Sequence, residues 1–294
     1  MTQEAVVLVN PRAGRRRANT AEIAEALHRF RVPHTIQVID GIDAMRHAVI
    51  EVARSGRQIV VAGGDGTFRL AAATLVESGL AADAKPLGIL PVGTGCDFLR
   101  TFGITPTLEA AAERLAGPET YRVDVGRLQG EWGTRLFLNV AQAGAGAAAA
   151  ETAPRIPRFL GPVRYPIAFG ARLPRFPATT VRFSGGYTYE SRALAVIMAN
   201  AQFFAGGWNV APKAMLVDGE LDVQVIDASK RAAPALVPRI VRGVHLGHPA
   251  VTRRSLSAFR LETDVPWPIE ADGDLVGSTP VDVSVLRQVL TVKI

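Results

Sequence analysis

A single cysteine, Cys96, excludes an internal disulfide and any multi-cysteine zinc site, and it suits a reducing compartment. Histidine is scarce as well: the five copies are scattered, and the pair His245 and His248, set among Gly and Pro, reads as a surface turn. No run approaches the roughly 18 apolar residues a spanning helix needs, although the mean hydropathy of +0.17 is high. Met1-Thr-Gln-Glu4 places an acid where a secretory signal wants Lys or Arg, and the apolar run Ala5–Val9 is too short for its core. Zinc-finger spacing, an RNP-like aromatic strand and a long Lys/Arg block are all lacking, which argues against a nucleic-acid partner. These absences predict a cytoplasmic protein that is not integral to the membrane.

What is present is a basic excess. Lys and Arg number 33 against 27 Asp and Glu, a net charge of +6, with an isoelectric point near 10.0. An anionic partner is therefore expected, and charge alone does not choose between an anionic membrane and a phosphorylated substrate. The 294 residues can bury one large core or two medium ones.

Along the first third, apolar runs alternate with helical patterns, as βα units of a largely parallel sheet do. Val6–Val9, His34–Ile39, Gln58–Ala62 and Pro86–Leu90 read as strands, and Ile23, Leu27 and Phe30 recur at helical spacing. After about Asp124 short β-rich runs punctuated by Gly and Pro take over: Leu136–Val140, Thr179–Phe183, Leu194–Met198, Leu221–Ile226, Phe259–Glu262, Val281–Val285 and Val289–Val292. One helix, near Ala232–Arg242, interrupts them. The expectation is an α/β domain over residues 1–125 and a second domain over 126–294 with a β-sandwich or barrel-like core.

Residues 153–177 interleave Arg155, Arg158, Arg164, Arg172 and Arg175 with Phe159, Tyr165, Phe169 and Phe176. Cations among rings suit a membrane interface; a solvated, irregular excursion of the second domain is the alternative. Trp132, Trp208 and Trp267 read as packing residues of the β domain.

Three Gly-rich turns each follow a predicted strand: Asn10-Pro-Arg-Ala-Gly14, Gly63-Gly-Asp-Gly-Thr67 and Pro91-Val-Gly-Thr-Gly-Cys-Asp97. Open α/β sheets gather ligand loops at that carboxyl edge, and glycines let N–H groups approach phosphate oxygens. Arg12 and Arg15-Arg16-Arg17 add positive charge beside the first turn. Asp65 within a phosphate loop makes sense if Mg²⁺ lies between carboxylate and phosphates; otherwise it satisfies backbone N–H groups. Asp97 carries the same two readings. Cys96, with no histidine near it in sequence, is a poor candidate for a nucleophile.

These three turns resemble, in order and spacing, the nucleotide-binding motifs of the diacylglycerol kinase and sphingosine kinase catalytic-domain family, closest to its soluble bacterial lipid kinases. The resemblance continues through Asn200-x-x-Phe203-x-x-Gly206-Gly207, Ala211-Pro212, Asp218-Gly219-x-Leu221-Asp222-Val223 and Ala271-Asp272-Gly273-Asp274. It implies ATP and a lipid head group meeting in a cleft between an α/β domain and a β-sandwich. ATP would contact Asn10, Pro11, Arg12, Ala13 and Gly14, then Gly64, Asp65, Gly66, Thr67, Phe68, Arg69 and Leu70, and Thr94, with a contribution near Ile39 or Asp40. A structural Mg²⁺ would map onto Asp218, with main-chain oxygens of Met215 and Glu220. The proton acceptor would be Asp274, with Asp272 its neighbour and competitor; Asp-Gly also predicts a hairpin turn between Trp267–Ile269 and Val281–Val285.

Three positions depart from the family's pattern. Arg69-Leu70 replaces Asn-Glu, Cys96 replaces Asn, and Asp274 replaces Glu. The implied activity is an ATP- and Mg²⁺-dependent lipid kinase with Asp65 and Asp274 as catalytic acids and diacylglycerol as the default acceptor. Alternatives are a sphingoid base, phosphatidylglycerol, or a nucleotide-binding pseudokinase without transfer; NAD kinase shares the Gly-Gly-Asp-Gly-Thr turn but neither flanking motif. The expected setting is peripheral, on the anionic inner membrane surface, and a homodimer through an exposed strand edge is compatible with the sequence.

Overall fold

The computed structural model describes residues 4–14, 19–92, 96–157 and 164–294. They divide into two units, Met1–Asp124 with Arg287–Ile294, and Val125–Leu286. The last eight residues, which the sequence reading placed in the second domain, pack with the first unit.

In the first unit the order is β1 (Ala5–Val9), α1 (Thr20–Arg29), β2 (His34–Val38), α2 (Ile42–Arg54), β3 (Gln58–Gly63), α3 (Asp65–Glu77), β4 (Leu87–Pro91), α4 (Asp97–Thr101) and α5 (Leu108–Ala116). The strands pair in parallel in the order β2-β1-β3-β4. All five residues of β1 and of β4 are buried, which is why they read as unbroken apolar runs. Helix α1 begins at Asn19, whose side chain accepts from Ala21 N–H at 3.0 Å, and buries Ile23, Ala26 and Leu27 along one face. Chain order reverses between β1 and β3, the switch point where an open parallel sheet leaves room for a ligand beyond the carboxyl ends of its strands.

The second unit takes in most of β5 (Tyr121–Gly130) and then β6 (Gly133–Phe137), β7 (Val140–Gly144), α6 (Ala145–Thr152), α7 (Arg164–Arg172), β8 (Thr179–Ser184), β9 (Tyr189–Ala193) and β10 (Ala195–Ala199). The short β11 (Phe203–Phe204) and β12 (Trp208–Asn209) form a two-stranded ribbon, followed by β13 (Leu221–Ile226), α8 (Ala233–Val241), β14 (Val251–Leu256), β15 (Ala258–Thr263), β16 (Pro268–Ala271), β17 (Asp274–Ser278) and β18 (Val281–Lys293). One layer runs β14-β13-β10-β7-β16-β17; the other pairs β9, β8, β15 and β18. Val181, Phe183 and Leu261 of one layer and Val196, Met198, Val223 and Ile269 of the other join one buried core with Trp267.

Strand β18 is one strand where two were expected. Val281–Ser284 pair with β15, whereas Val292 and Lys293 pair in parallel with β4 in the first unit. Gln288, at φ +46°, marks its irregular midpoint, and its N–H donates to the fully buried Asp124 at 2.6 Å. Two further differences have local causes. The expected strand 136–140 is broken because the N–H groups of Leu138, Asn139 and Val140 are drawn to Asp272 at 2.7, 2.9 and 3.0 Å. The Arg-rich segment is largely helical: α7 carries Pro166 in its first turn, where a missing N–H costs no helix bond. Arg158 and Phe159 lie outside the described residues.

Candidate active site

Three loops leave the carboxyl ends of the adjacent strands β1, β3 and β4. Asn10 closes the first as an Asx turn, its side-chain oxygen accepting from Arg12 N–H at 2.9 Å, while its amide donates to Thr67 Oγ1 at 2.9 Å. That second bond ties the first loop to helix α3. A Cβ on Gly63 would lie 2.6 Å from Thr67 Cβ, so only glycine lets β3 turn this closely into α3. Over Gly64 and Gly66 a Cβ would meet nothing within 4 Å. The backbone at the positive end of the thirteen-residue α3 is therefore open to an approaching anion.

Asp65 reaches into the third loop. Its carboxylate accepts from the N–H groups of Cys96, Asp97 and Phe98 at 2.7, 3.0 and 3.2 Å, satisfying the first donors of α4. Of the two readings the sequence allowed, this contact is the satisfaction of backbone N–H groups, with donors from a distant loop. Thr94 and Arg15-Arg16-Arg17 lie outside the described residues. Arg12 forms a two-pronged, exposed pair with Asp40 at 2.9 and 3.0 Å, which brings the end of β2 to the first loop. Pro11 is half-buried, Ala13 is buried and Gly14 turns the loop at φ +81°. Phe68 is not at the surface: its ring is fully buried and packs on Phe98, centroids 4.8 Å apart, so only its backbone is placed to meet a ligand. Arg69 and Leu70 follow on α3, both half-buried.

Cys96 occupies the left-handed region at φ +79°. Among residues with a Cβ, Asn and Asp tolerate that conformation best, which explains physically why an amide suits this position. Its thiol is buried, and burial, reinforced by the charges of Asp65 and Asp97, pushes its pKa far above the usual thiol range. Both the burial and the raised pKa disfavour a nucleophilic role.

In the second unit the Asp272-Gly273 turn joins β16 to β17, with φ +48° and +93° at its two residues. Both positive values are what a two-residue hairpin demands; the partner strand is 274–278, not the expected 281–285. Asp272 is spent on the three N–H groups of residues 138–140, and Asn200 holds the same segment, its amide donating to Leu138 O at 2.8 Å. Asp274 stands at the exit of the turn, about half exposed, paired with Arg135 of β6 at 2.5 Å. The turn thus separates two neighbouring acids by role: one builds the backbone, the other faces solvent. Arg135, Gln142 and Glu270 belong to this neighbourhood and no sequence motif marks them.

The same unit holds an apolar cavity lined by Gly146, Phe169, Ile197, Trp208, Leu236 and Ile240, with Gln142 on its wall. At the 215–220 turn, Asp218 is exposed and one of its oxygens accepts from Glu220 N–H at 3.0 Å, with Gly219 at φ +76°. The expected donors there are all oxygen, which fits a hard cation such as Mg²⁺. Among the described residues no group of three or more His, Cys, Asp and Glu side chains could hold a metal; the expected set has one carboxylate with main-chain oxygens beside it. His245 corrects the sequence reading: it is fully buried, its Nε2 2.7 Å from Gln224 Oε1, and burial lowers its pKa.

Comparison with known proteins gives a consistent picture. Residues 4–128 match the model of the diacylglycerol kinase catalytic domain, and 139–294 that of the YegS C-terminal NAD kinase beta sandwich-like domain. The chain is 34% identical over 232 residues to a "Probable lipid kinase YegS-like" of Xanthomonas oryzae pv. oryzae, covering 76% of this chain and 72% of that protein. It is 29% identical over 293 residues to a "Diacylglycerol kinase" of Mycobacterium tuberculosis, covering 97% and 93%. A crystal structure of a diacylglycerol kinase from Bacillus anthracis str. Sterne shares the fold at a TM-score of 0.74 and 20% identity, over 99% of this chain and 96% of that one.

Proposed function

The chain belongs to the lipid kinase family in which a diacylglycerol kinase catalytic domain precedes a YegS-type β-sandwich domain, and from that premise we propose that it transfers the γ-phosphate of ATP to the hydroxyl of diacylglycerol. The observation that carries this reading is the locking of loops at the switch point of the first unit. Asn10 holds Thr67, and Asp65 holds residues 96–98, so that the open backbone of Gly64 and Gly66 is presented in one fixed arrangement. Phosphoryl transfer asks the protein chiefly for such positioning and for charge stabilisation.

The work divides between the units. The first takes the phosphates on the loops after β1, β3 and β4, with Asn10 through Gly14 and Gly64 through Leu70 as the contacts and Asp65 as the residue that keeps the third loop in place. The Arg12–Asp40 pair is exposed and held by little, so Arg12 can exchange its carboxylate for a phosphate. The second unit takes the acceptor. Its apolar cavity suits an acyl chain, and Asp274, oriented by Arg135, takes the proton that the lipid hydroxyl loses on attack. Mg²⁺ bound with the nucleotide supplies neutralisation of phosphate charge, and Asp218, with main-chain oxygens of Met215 and Glu220, would hold a second, structural ion. Ile167, 43% exposed on α7, supports peripheral contact with a membrane surface.

Transfer of labelled phosphate from ATP with Mg²⁺ to separate mixed micelles of diacylglycerol, a sphingoid base and phosphatidylglycerol tests the proposal. Label on diacylglycerol supports it. Label confined to another lipid moves the acceptor, and ATP binding without any labelled lipid leaves the pseudokinase.

A further inference from the structure

Glu270 is a fully buried acid that the proposed reaction does not use. It lies on β16, four residues before Asp274, and both its oxygens are engaged. One accepts from Gln142 Nε2 at 2.7 Å, the other from the backbone N–H of Gly273. Gly273 is the second residue of the turn that presents Asp274, and Asp272, the first, is clamped to residues 138–140. The turn is therefore held from both of its residues by carboxylates, one nearly at the surface and one in the interior.

A carboxyl group in a protein interior is costly, and an apolar side chain would satisfy β16 equally well as a strand. The surroundings are nevertheless shaped to keep it. A Cβ on Gly146 would lie 2.0 Å from Gln142 Oε1, so the first turn of α6 leaves room for the amide that meets Glu270. The same Gln142 forms part of the wall of the apolar cavity. A continuous set of contacts runs from that wall through Gln142 and Glu270 to Gly273 and so to Asp274.

We propose that Glu270 is a positioning residue for Asp274, fixing the catalytic turn through the Gly273 N–H and tying it through Gln142 to the wall of the apolar cavity. This rests on the reading of Asp274 as proton acceptor. The charged groups around Glu270 are few. Asp272 and Asp274 share its hairpin, Arg135 of β6 pairs with Asp274, Glu151 on the packed helix α6 pairs with Arg172, and β7 carries none. Burial raises the Glu270 pKa to about 8, against the pull of Gln142 and Gly273. Burial thus favours the protonated form, and ionisation at higher pH adds a negative charge beside two aspartates.

The test is steady-state transfer to diacylglycerol in mixed micelles, from pH 6 to about 9, for the parent, Glu270→Leu, Glu270→Gln and Asp274→Asn. Glu270→Leu is expected to lower kcat about tenfold with KM for ATP unchanged, and Glu270→Gln, which keeps an acceptor for Gly273, to return within about threefold of the parent. The parent is expected to lose kcat as pH rises through about 8 and Glu270→Gln is not, with circular dichroism at each pH showing that the parent stays folded, because ionising a buried acid also lowers stability. Glu270→Leu within about twofold of the parent, beside an inactive Asp274→Asn, overturns the proposal. If Glu270→Leu fails to fold, an unchanged alkaline loss in Glu270→Gln overturns it equally. An active Asp274→Asn instead overturns the reading on which it rests.

Discussion

Asp65 gathers three N–H groups from a segment 31 to 33 residues away, and those groups have no helical partner to fall back on. Replacing it with alanine leaves them unsatisfied in a half-buried place. The expected cost is about 3 kcal/mol in denaturant unfolding, together with weaker ATP binding by calorimetry; unfolding within about 0.5 kcal/mol of the parent would show the contacts to be incidental. The sequence singles out Asp65 readily, because an acid in a phosphate loop is anomalous on its face. Its partner was not legible, since the donors are backbone groups in another loop. Glu270 is the opposite case: a glutamate in a short apolar run looks like an ordinary exposed strand residue, and only the fold shows that both faces of β16 are covered.

At the level of elements, the approach of β3 to α3 depends on Gly63. Gly63→Ala drives a Cβ into Thr67 and is expected to cost about 1–3 kcal/mol, with a comparable loss of ATP affinity because Thr67 carries the Asn10 bond. A variant with parent-like unfolding and parent-like ATP binding would contradict the role given to this contact. The parallel strands of the first unit were legible because both of their faces are buried, and the apolar runs are therefore continuous. Helices α6 and α7 were not. Alanine-rich α6 lacks an apolar stripe against a polar face, and Pro166 with the two arginines of α7 masks that helix unless the proline's place in the first turn is known. The break at residues 138–139 was equally hidden, because a carboxylate 133 residues away causes it.

Across the whole molecule, the chain end returns to the first unit. Leu290, Val292 and Ile294 are buried there, and Val292 and Lys293 give β4 its second parallel neighbour. Removing residues 287–294 forfeits the burial of three aliphatic side chains worth about 1.5–3 kcal/mol each, comparable to the stability of an ordinary domain. Loss of the cooperative unfolding transition of the first unit is expected, read by hydrogen exchange of β1, β3 and β4; protection equal to the parent's would show the strand to be dispensable. Nothing in the 281–293 sequence foretold the sharing, since one amphipathic strand and two short ones differ only at the Gln288 irregularity.

The central claim is phosphate transfer to a lipid hydroxyl with Asp274 as its proton acceptor, and it is tested most directly by transfer from labelled ATP with Mg²⁺ to diacylglycerol micelles, parent against Asp274→Asn. The account predicts labelled phosphatidic acid from the parent and a rate at least about 100-fold lower from the variant, with ATP binding unchanged. Equal rates from both proteins, or no labelled lipid from a parent that binds ATP, would contradict it.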